Sequence, residues 1–560
     1  MQRLGRKGKD KLFNFRPLFF MAASLCVGVV FCYLHFFFGL SLWWLFLLVG
    51  LGIPFIFCGK EMLIKTAISV FALLAAFFVG FACFGAQMRA YTRATVYEGE
   101  YFVQGRVEEK TEGRIYSCLV LSDITVGENA EKYKLIAYLP ASFCENVDLF
   151  DVVSLVGTVT TEGTEYSAES FNAYTIREHI KYKMTDVESC IVVGRKFDLF
   201  GSIRARIEKA LYRGMDDEPA SVAIAVLTGN THGIESGLLT NMRYGGIAHI
   251  FAVSGLHVGA LYGFCMWLTS KTGLKRAPKI FRFLLVAAVL LFYGGICGFS
   301  ASILRATILC LVGYAAKLIG TKVDKLETLG LAAIIVLLLS PIELFSVGFQ
   351  LSFLACLGIF LYSKPLDKWG NHVCDEIIKR VRARREKATQ SAGESTQNAR
   401  AQEDEDTITF WGKVRNMAIS FTSVSLAAQI ATAPVLLQTF GYLSGWSLLL
   451  NFFFVPFIGA VFSWLLLFTV AACLLPLAAS PVVLYLPNVV WSAVLLLFEA
   501  FDFSTFAIKD VTLTASAFAC YYLALSFLAD KWNLTIKQRK WFGLLCGAGF
   551  VVVVLISNIV

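Results

Sequence analysis

The sequence has 560 residues, of which 57% are hydrophobic and 16% are charged, and its formal net charge is +9. With a mean hydropathy of +0.65, the chain is more apolar than a soluble domain needs to be, which excludes a soluble protein. A transmembrane α-helix needs about 20 mostly apolar residues, and such runs follow one another along the chain. Membrane β-barrels would show short alternating segments instead. Composition therefore predicts a polytopic α-helical membrane protein.

The apolar runs predict about 11 to 13 transmembrane helices. The candidate spans are residues 17–38, 41–58, 64–86, 247–270, 282–299, 301–320, 326–342, 345–363, 417–440, 446–475, 480–508, 511–529 and 541–558. Before the first span, sixteen residues carry six Lys or Arg and one Asp. Because basic flanks stay in the cytoplasm and no small-residue cleavage site follows, we predict a retained signal anchor with a cytoplasmic N-terminus.

Counting spans from that end places residues 87 to about 246 outside the cell. The loop at residues 364–415 then falls in the cytoplasm, which agrees with its eleven basic residues. Within this loop, residues at about 380–408 are polar, carry charges of both signs and show no periodicity. This part is predicted to be a disordered cytoplasmic loop.

Residues 95–196 form a polar segment after the third span. Runs such as YFVQGRVEE and DVVSLVGTVTTEG alternate with turns that contain Gly, and five such strands predict one extracytoplasmic small β-barrel of OB type. Residues 95–200 hold 18 acidic and 10 basic residues. Because an OB fold that binds single-stranded nucleic acid needs a positive groove, this balance favours a spacer or scaffold role over a direct DNA site, and both stay open.

The borders and cysteines of this segment add two predictions. Residues 197–246 begin with an amphipathic stretch whose polar side carries Arg204, Arg206 and Lys209, which predicts interfacial helices along the membrane surface. Among the fifteen Cys, no pair has zinc-ligand spacing. An oxidising compartment would allow one disulfide in the polar segment. We predict Cys118 with Cys144, leaving Cys190 unpaired.

Four blocks of sequence carry a family resemblance. They are LTGNTHGIESGLLTNMRYGGIAHIFAVSGLHVGALYGF (227–264), GFSASILRA (298–306), SPIELFSVGFQLSFLACLGI (340–359) and SLAAQIATAPVLLQTFGYLSGWSLLLNFFFVPF (425–457). In content and order they resemble the ComEC competence-protein family, the bacterial inner-membrane channels that pass single-stranded DNA during natural transformation. The resemblance covers nearly the whole chain. It implies anchor helices at 1–90, the OB-like domain, and a channel domain at 247–560.

The same resemblance sets expectations for chemistry and partners. Many family members continue into a metallo-β-lactamase-like domain proposed as the nuclease, and this sequence resembles a form that lacks it. No HxHxDH cluster and no Walker A motif is present, so we expect no metal, no cofactor and no nuclease activity, and any ATP-driven pulling would come from a partner. The implied partners are single-stranded DNA, membrane lipid, a DNA receptor, a separate nuclease and a cytoplasmic ATPase. A homo-oligomer stays open.

A small, polar break interrupts the apolar run of the fourth span. It contains Ser254, Gly255 and His257, and His249 lies eight residues earlier, on the same face if one helix continues through both. Such a break is tolerated where the backbone lines a cavity. Pore lining and plain helix packing with hydrogen-bonded histidines both stay open. Under the first interpretation, His257→Leu or a bulky residue at Gly255 blocks DNA entry.

Three further polar residues are candidates for the DNA path. Arg305 lies inside a span, where an arginine costs about 2.5 to 3.5 kcal/mol, so it should face protein or water. Arg243 precedes the fourth span and could meet phosphate at a pore mouth. Gln350 is an amide within a span that could line the path or bond between helices. The alternative for Arg305 is an internal ion pair, for example with Glu343.

The resulting functional prediction is a channel for single-stranded DNA, without catalytic residues. The first alternative is a membrane-embedded hydrolase that uses Ser254 and His257, which lie at i, i+3 on one helix face. The second alternative is a transporter of another polyanion.

Overall fold

The computed structural model describes residues 16–41, 60–111, 116–144, 147–162, 171–196, 198–231, 233–250, 253–271, 276–392, 401–509, 513–528 and 536–559. The predicted span at 41–58 lies outside these residues, apart from its first position. So does the basic stretch before Arg16.

The described part is mainly helical. Its α-helices are α1 (Pro17–Phe38), α2 (Lys60–Thr92), α3 (Ala141–Cys144), α4 (Ala173–Arg177), α5 (Leu199–Gly214), α6 (Asp217–Thr228), α7 (Ser236–Tyr244), α8 (Gly255–Lys271), α9 (Lys279–Ile296), α10 (Ala301–Ile319), α11 (Lys325–Leu339), α12 (Val347–Ala392), α13 (Ala401–Phe440), α14 (Ser447–Leu474), α15 (Ser480–Val483), α16 (Tyr485–Ala500), α17 (Ala515–Leu528) and α18 (Ile536–Ile559). Its strands are β1 (Glu98–Thr111), β2 (Tyr116–Val126), β3 (Asn129–Ala130), β4 (Lys134–Pro140), β5 (Asp151–Thr161), β6 (Ile180–Arg195), β7 (Tyr442–Ser444) and β8 (Ala507–Lys509).

Seven helices in the described residues are long and apolar enough to cross a membrane, namely α1, α2, α9, α10, α12, α13 and α14. A bent pair, Leu477–Val483 with Tyr485–Ala500 at 57°, would bring the number to eight. The protein is therefore a polytopic helical membrane protein, and its described residues contain fewer long spans than the 11 to 13 predicted for the whole chain.

Within the described residues, part of the difference lies in helix length. The predicted spans at 247–270 and 326–342 form α8 and α11, which have 17 and 15 residues, short of the roughly 20 that a complete crossing needs. Near the end of the described chain, α17 has 14 residues, whereas α18 has 24 and contains the predicted span at 541–558. Hydropathy marks a segment as apolar, but it does not fix where the helix begins and ends.

The polar segment after α2 folds into one six-stranded sheet in the order β1-β5-β6-β4-β2-β3, with an additional pairing between β1 and β2. Pairing thus runs from β1 through β5, β6, β4 and β2 back to β1. All neighbours are antiparallel except β4 and β6, which are parallel. In β4, Leu135, Ala137 and Leu139 are buried at alternate positions, which gives the segment its own core.

This strand-rich domain contacts the helices through polar groups. The hydroxyl of Tyr91 near the end of α2 donates to the Ile180 carbonyl at 2.8 Å, and the Lys181 ammonium lies 4.2 Å from the centre of the Tyr91 ring. Arg177 of α4 pairs with Glu343 at 2.9 Å, in the 3₁₀ turn before α12. The domain is therefore fixed both to α2 and to the start of α12.

The two ends of α1 contact different parts of the molecule. At its start, Arg16 Nε pairs with Asp324, just before α11, at 2.9 Å. Towards its other end, the Tyr33 ring lies 4.9 Å from the rings of Phe171, which belongs to the strand-rich domain, and Phe345, which follows α11. Because α1 and α11 run parallel, the strand-rich domain lies at the end of α1 opposite Arg16.

The two longest helices, α12 and α13, form an antiparallel pair. They have 46 and 40 residues, and far from the domain they are joined by an ion pair of 2.9 Å between Arg415 and Asp375. Helix continues to Ala392 and resumes at Ala401, so from both sides it extends into the segment at about 380–408 that was predicted to be disordered. The helical residues are rich in Arg, Lys, Glu and Ala, which favour helix. The intervening residues 393–400 lie outside the described chain.

The predicted disulfide is absent. Cys118 and Cys190 are free thiols. Cys118 is on β2 and pairs through its backbone with Tyr138 of β4, whereas Cys144 ends the short α3 and is buried in the domain core. The two cysteines therefore do not lie on neighbouring strands.

Candidate functional site

The polar break at residues 254–257 forms the start of α8. The Ser254 hydroxyl accepts a hydrogen bond from the Leu256 amide at 3.3 Å, and the Ser254 carbonyl accepts one from the His257 amide at 3.1 Å. Side chains such as Ser at this position satisfy amide groups that a helix start leaves without partners. Ser254 is thus the N-cap of α8, and Gly255 is its first residue.

The His257 side chain completes this cap. Its Nδ1 accepts a hydrogen bond from the Ser254 amide at 3.0 Å, and the ring is fully buried, 4.9 Å from the ring of Phe462 on α14. An Nδ1 that accepts an amide proton is unprotonated, which places the proton of the neutral ring on Nε2. Nε2 is buried and has no hydrogen-bond partner among the described residues.

This geometry bears on the hydrolase alternative. Ser254 Oγ lies 3.2 Å from His257 Nδ1, within reach for a nucleophile and a base. The single lone pair of Nδ1 already accepts the Ser254 amide proton, so it is not available to the hydroxyl. The arrangement supports a helix cap better than a catalytic pair.

Arg305, in the second turn of α10, lies beside this cap and is only 6% exposed. Its Nη1 donates to the Ser352 carbonyl and to Cys356 Sγ, the latter at 3.0 Å, and its guanidinium lies 5.8 Å from the centre of the Phe353 ring. Nε is buried without a partner, and none of the described residues forms an ion pair with Arg305. A buried positive charge is thus held by neutral groups alone.

Gly255 makes room for this guanidinium. A Cβ added at Gly255 would lie 2.9 Å from Arg305 Nη2, closer than side chains normally approach. The internal pair considered from sequence does not form, because Glu343 pairs with Arg177 and accepts from the Ser346 hydroxyl at 2.7 Å. Glu343 lies next to the strand-rich domain, and its partner is therefore Arg177 of that domain and not Arg305.

The remaining sequence candidates lie apart from this cluster. Gln350 is half-buried on α12 and donates to the Leu344 carbonyl at 3.1 Å, so its amide bonds locally. Arg243 is exposed in the last turn of α7. His249 is exposed in a 3₁₀ turn that ends at Ile250, before α8 begins at Gly255. The condition for His249 and His257 to share one helix face, a single continuous helix, is therefore not met.

Sequence reasoning missed the groups that hold Arg305. Ser352 and Cys356 are four residues apart on α12, inside the block at 340–359. Gln350, the more polar residue of that block, was the candidate chosen from the sequence. Their i, i+4 spacing was the available signal, since it places both on one helix face. No cluster of three His, Cys, Asp or Glu that could hold a metal occurs in the described residues.

Comparison with known proteins covers this site. The family model described as competence protein matches residues 226–533, more than half of the chain, including α8, α10 and the start of α12. The chain belongs to the competence protein family. The resemblance to ComEC proteins is thereby confirmed.

Two curated relatives match parts of the chain. Over 332 residues it is 26% identical to ComE operon protein 3 of Bacillus subtilis (strain 168). The aligned region covers 58% of this chain and 35% of that protein. Over 122 residues it is 34% identical to the Uncharacterized protein MG316 homolog of Mycoplasma pneumoniae (strain ATCC 29342 / M129 / Subtype 1). This second aligned region covers 21% of this chain and 29% of that protein. The chain therefore spans about a third of each relative's length. No solved structure matches it.

Proposed function

We propose that this protein acts in DNA uptake during competence, as a channel that passes single-stranded DNA across the bacterial cytoplasmic membrane. Membership in the competence protein family and the similarity to ComE operon protein 3 support the process. The seven long apolar helices support the location.

The observation that carries the channel proposal is the uncompensated charge of Arg305. A buried arginine in a membrane protein is costly unless it faces a partner or water. Arg305 has no carboxylate partner in the described chain, and Nε is unpartnered. A passing phosphate would supply the missing negative charge, and guanidinium binds phosphate through charge-assisted hydrogen bonds.

The neighbours of Arg305 fit a narrow path. Gly255 leaves open the space beside Nη2, and the capped start of α8 holds the backbone in place there. We propose that Ser254, Gly255, His257 and Arg305 line this path. The exposed Arg243 and His249 are proposed to meet the strand nearer an entrance, and Gln350 to lie beside the path at the start of α12.

For the strand-rich domain at 95–196 we propose a small OB-like barrel with a scaffold role. The ring of pairings through β1, β5, β6, β4 and β2, with the parallel pair β4 and β6, supports this proposal. The acidic balance of the segment disfavours phosphate binding, and the contacts of Arg177 and Tyr91 anchor the domain to the helices. The other proposed units are the anchor helices at 1–90, the interfacial helices at 197–246 and the channel domain at 247–560.

We further propose a cytoplasmic N-terminus. Arg16 and the strand-rich domain lie at opposite ends of α1, which supports opposite sides of the membrane for the two. Cysteine labelling of intact cells tests the orientation. A Cys introduced in the loop at about 390–400 should be protected from an impermeant reagent, and labelling from outside would reverse the proposed topology.

The proposed partners beyond DNA and lipid are a DNA receptor, a separate nuclease and a cytoplasmic ATPase. We propose no catalytic role, because the Ser254–His257 contact is better explained as a helix cap. A transporter of another polyanion would use the same arginine, so the experiment must name the cargo.

The test is deletion of the gene followed by transformation with labelled DNA. Cytoplasmic single strands are scored separately from duplex bound at the surface. The deletion should abolish the first and leave the second, and the wild-type gene should restore the first. Unchanged internal single strands in the deletion strain would overturn the proposal.

A further inference from the structure

A cavity of about 320 Å³ lies between α5, α9 and α14, away from Arg305. Most of its lining is apolar, contributed by residues such as Ile207 of α5, Phe292 and Ile296 of α9, and Leu466 of α14. An apolar cavity of about 150 Å³ is enough to bind benzene, so this one has room for a longer hydrocarbon group.

The cavity lies where two candidate spans end. Ile296 is the last residue of α9 and Leu474 is the last residue of α14, and both line it. Its mouth is formed by side chains that are themselves exposed, Phe292 and Val470 at 47% each and Leu474 at 81%. In a membrane protein such side chains face hydrocarbon, so the cavity opens towards the acyl chains near the level of the head groups.

Arg206 provides a positive charge at the rim. Its Nε donates to the Cys473 carbonyl at 2.8 Å, which fixes the exposed side chain beside the opening. Its two terminal nitrogens form no hydrogen bond or ion pair with any residue that the structure describes. Both are therefore oriented by the protein and free to donate to a phosphate.

A second polar group lies inside. Thr469 lines the cavity and is 1% exposed, and its hydroxyl has no hydrogen-bond partner among the described residues. A buried hydroxyl without a partner costs stability, so this group is suited to a ligand that carries an acceptor. An ester carbonyl, the group that joins an acyl chain to a glycerophosphate, is such an acceptor.

We infer that this cavity is a phospholipid site. One acyl chain of an anionic lipid fills the apolar cavity, and its ester carbonyl accepts a hydrogen bond from the Thr469 hydroxyl. The phosphate of the same lipid lies against Arg206. Lys209 and Arg213 follow on the same exposed face of α5, three and seven residues on, but neither lines the cavity. The occupant is a bilayer lipid and not free phosphate, because the polar groups border an apolar volume.

The experiment uses the purified full-length chain in nanodiscs of phosphatidylglycerol and phosphatidylcholine with the same acyl chains. After transfer to detergent, native mass spectrometry counts the retained lipid. We expect one retained lipid per chain, with about fivefold preference for phosphatidylglycerol, the effect of one well-placed arginine. Arg206→Gln should abolish the preference, and Thr469→Phe should abolish retention of both lipids.

Three controls make the result decisive. Lys209→Gln removes an equal charge from the same helix face but does not line the cavity, so it should keep the preference. If Thr469→Phe does not purify as a folded protein, Val470→Phe blocks the same mouth from a half-exposed position. Equal loss of preference in Lys209→Gln, undiminished retention after the cavity is blocked, or displacement of the lipid by excess inorganic phosphate would each overturn the inference.

Discussion

Arg16 and Arg305 are equally buried, at 6% exposure each, but only Arg16 has a carboxylate partner among the described residues. Arg16, at the start of α1, pairs with the carboxylate of Asp324, whereas Arg305, within α10, is held by a carbonyl and a sulfur. A buried arginine that only joins helices is compensated by a carboxylate, because an unpaired buried charge is costly. The contrast teaches that burial alone does not single out a candidate functional cation, and that the missing counter-charge is what distinguishes Arg305 from Arg16.

The largest expected effect is that of removing the Arg305 charge, compared with removing the Arg16 charge. Arg305→Gln should lower entry of single-stranded DNA at least about tenfold, as expected when a charge-assisted hydrogen bond to phosphate is lost. Arg16→Gln is the matched control, since it removes an equally buried arginine. It should lower the amount of folded protein but not uptake per protein.

Uptake and protein amount must be measured together in these strains. Immunoblots of membranes give the amount, and labelled DNA gives the uptake. If Arg305→Gln and Arg16→Gln reduce uptake per protein alike, the contrast between the two arginines has no functional meaning.

Gly255 offers a steric way to sharpen the same contrast. Gly255→Leu places a side chain where a Cβ alone would lie 2.9 Å from Arg305 Nη2, so it should displace the guanidinium and reduce uptake several-fold. Gly259→Leu, one turn further along α8, is the control because a Cβ there meets nothing within 4 Å. Normal uptake by a well-expressed Gly255→Leu variant would show that this position is only a packing residue.

A smaller effect, on stability, is expected from breaking the ion pair between Arg16 and Asp324. Asp324→Asn removes the charge opposite Arg16 but keeps an oxygen for the Leu326 amide, which Asp324 caps at 2.9 Å. Because the Asp324 side chain is 39% exposed, the cost should be about 1 to 3 kcal/mol, less than for a fully buried pair. Thermal unfolding of the purified chain measures it, and an unchanged Tm would mean that the pair adds no stability.

The smallest effect concerns a third buried cation, Lys181 of the strand-rich domain. Burial lowers the pKa of Lys181 to about 8 from its ordinary value of 10.5. Above about pH 8 the folded protein releases this proton while the unfolded chain keeps it, so stability should rise with pH up to about 10.5. Below about pH 8 both states are protonated and the stabilising contribution is absent.

The measurement is the Tm of the full chain between about pH 7.5 and 9.5, below the range where ordinary tyrosines titrate. Lys181→Met should remove the rise in Tm over this interval. A rise of the same size in the variant would assign the pH dependence to other groups.

Two of the long apolar helices were predictable from the sequence almost to the residue. The run predicted at 17–38 is α1, Pro17–Phe38, and the run at 301–320 is α10, Ala301–Ile319. Pro17 suits the first helical position, and Gly320 ends α10 in a left-handed conformation with φ of 78°. Where a hydrophobic run and local end signals agree, the sequence suffices.

The interior of the candidate site was only partly predictable. Ser254, Gly255, His257 and Arg305 were singled out as polar groups in apolar surroundings, and the structure brings them together. That His257 caps a helix depends on where α8 begins, which the apolar run conceals. The groups that hold Arg305 lie about 50 residues further along the chain on α12, and a contact at that separation depends on how the helices pack.

The length of α12 has a mechanical consequence. At about 1.5 Å per residue its 46 residues extend about 69 Å, more than twice the hydrocarbon thickness of a bilayer. One end adjoins Glu343, which binds the strand-rich domain, the next turns carry Ser352 and Cys356, and the other end lies beyond Asp375. A pull at the far end that is transmitted past Pro365 would shift the two groups that hold Arg305. Sliding by one turn would put the Gly348 carbonyl where that of Ser352 had been, and the Ser352 hydroxyl in place of the Cys356 sulfur.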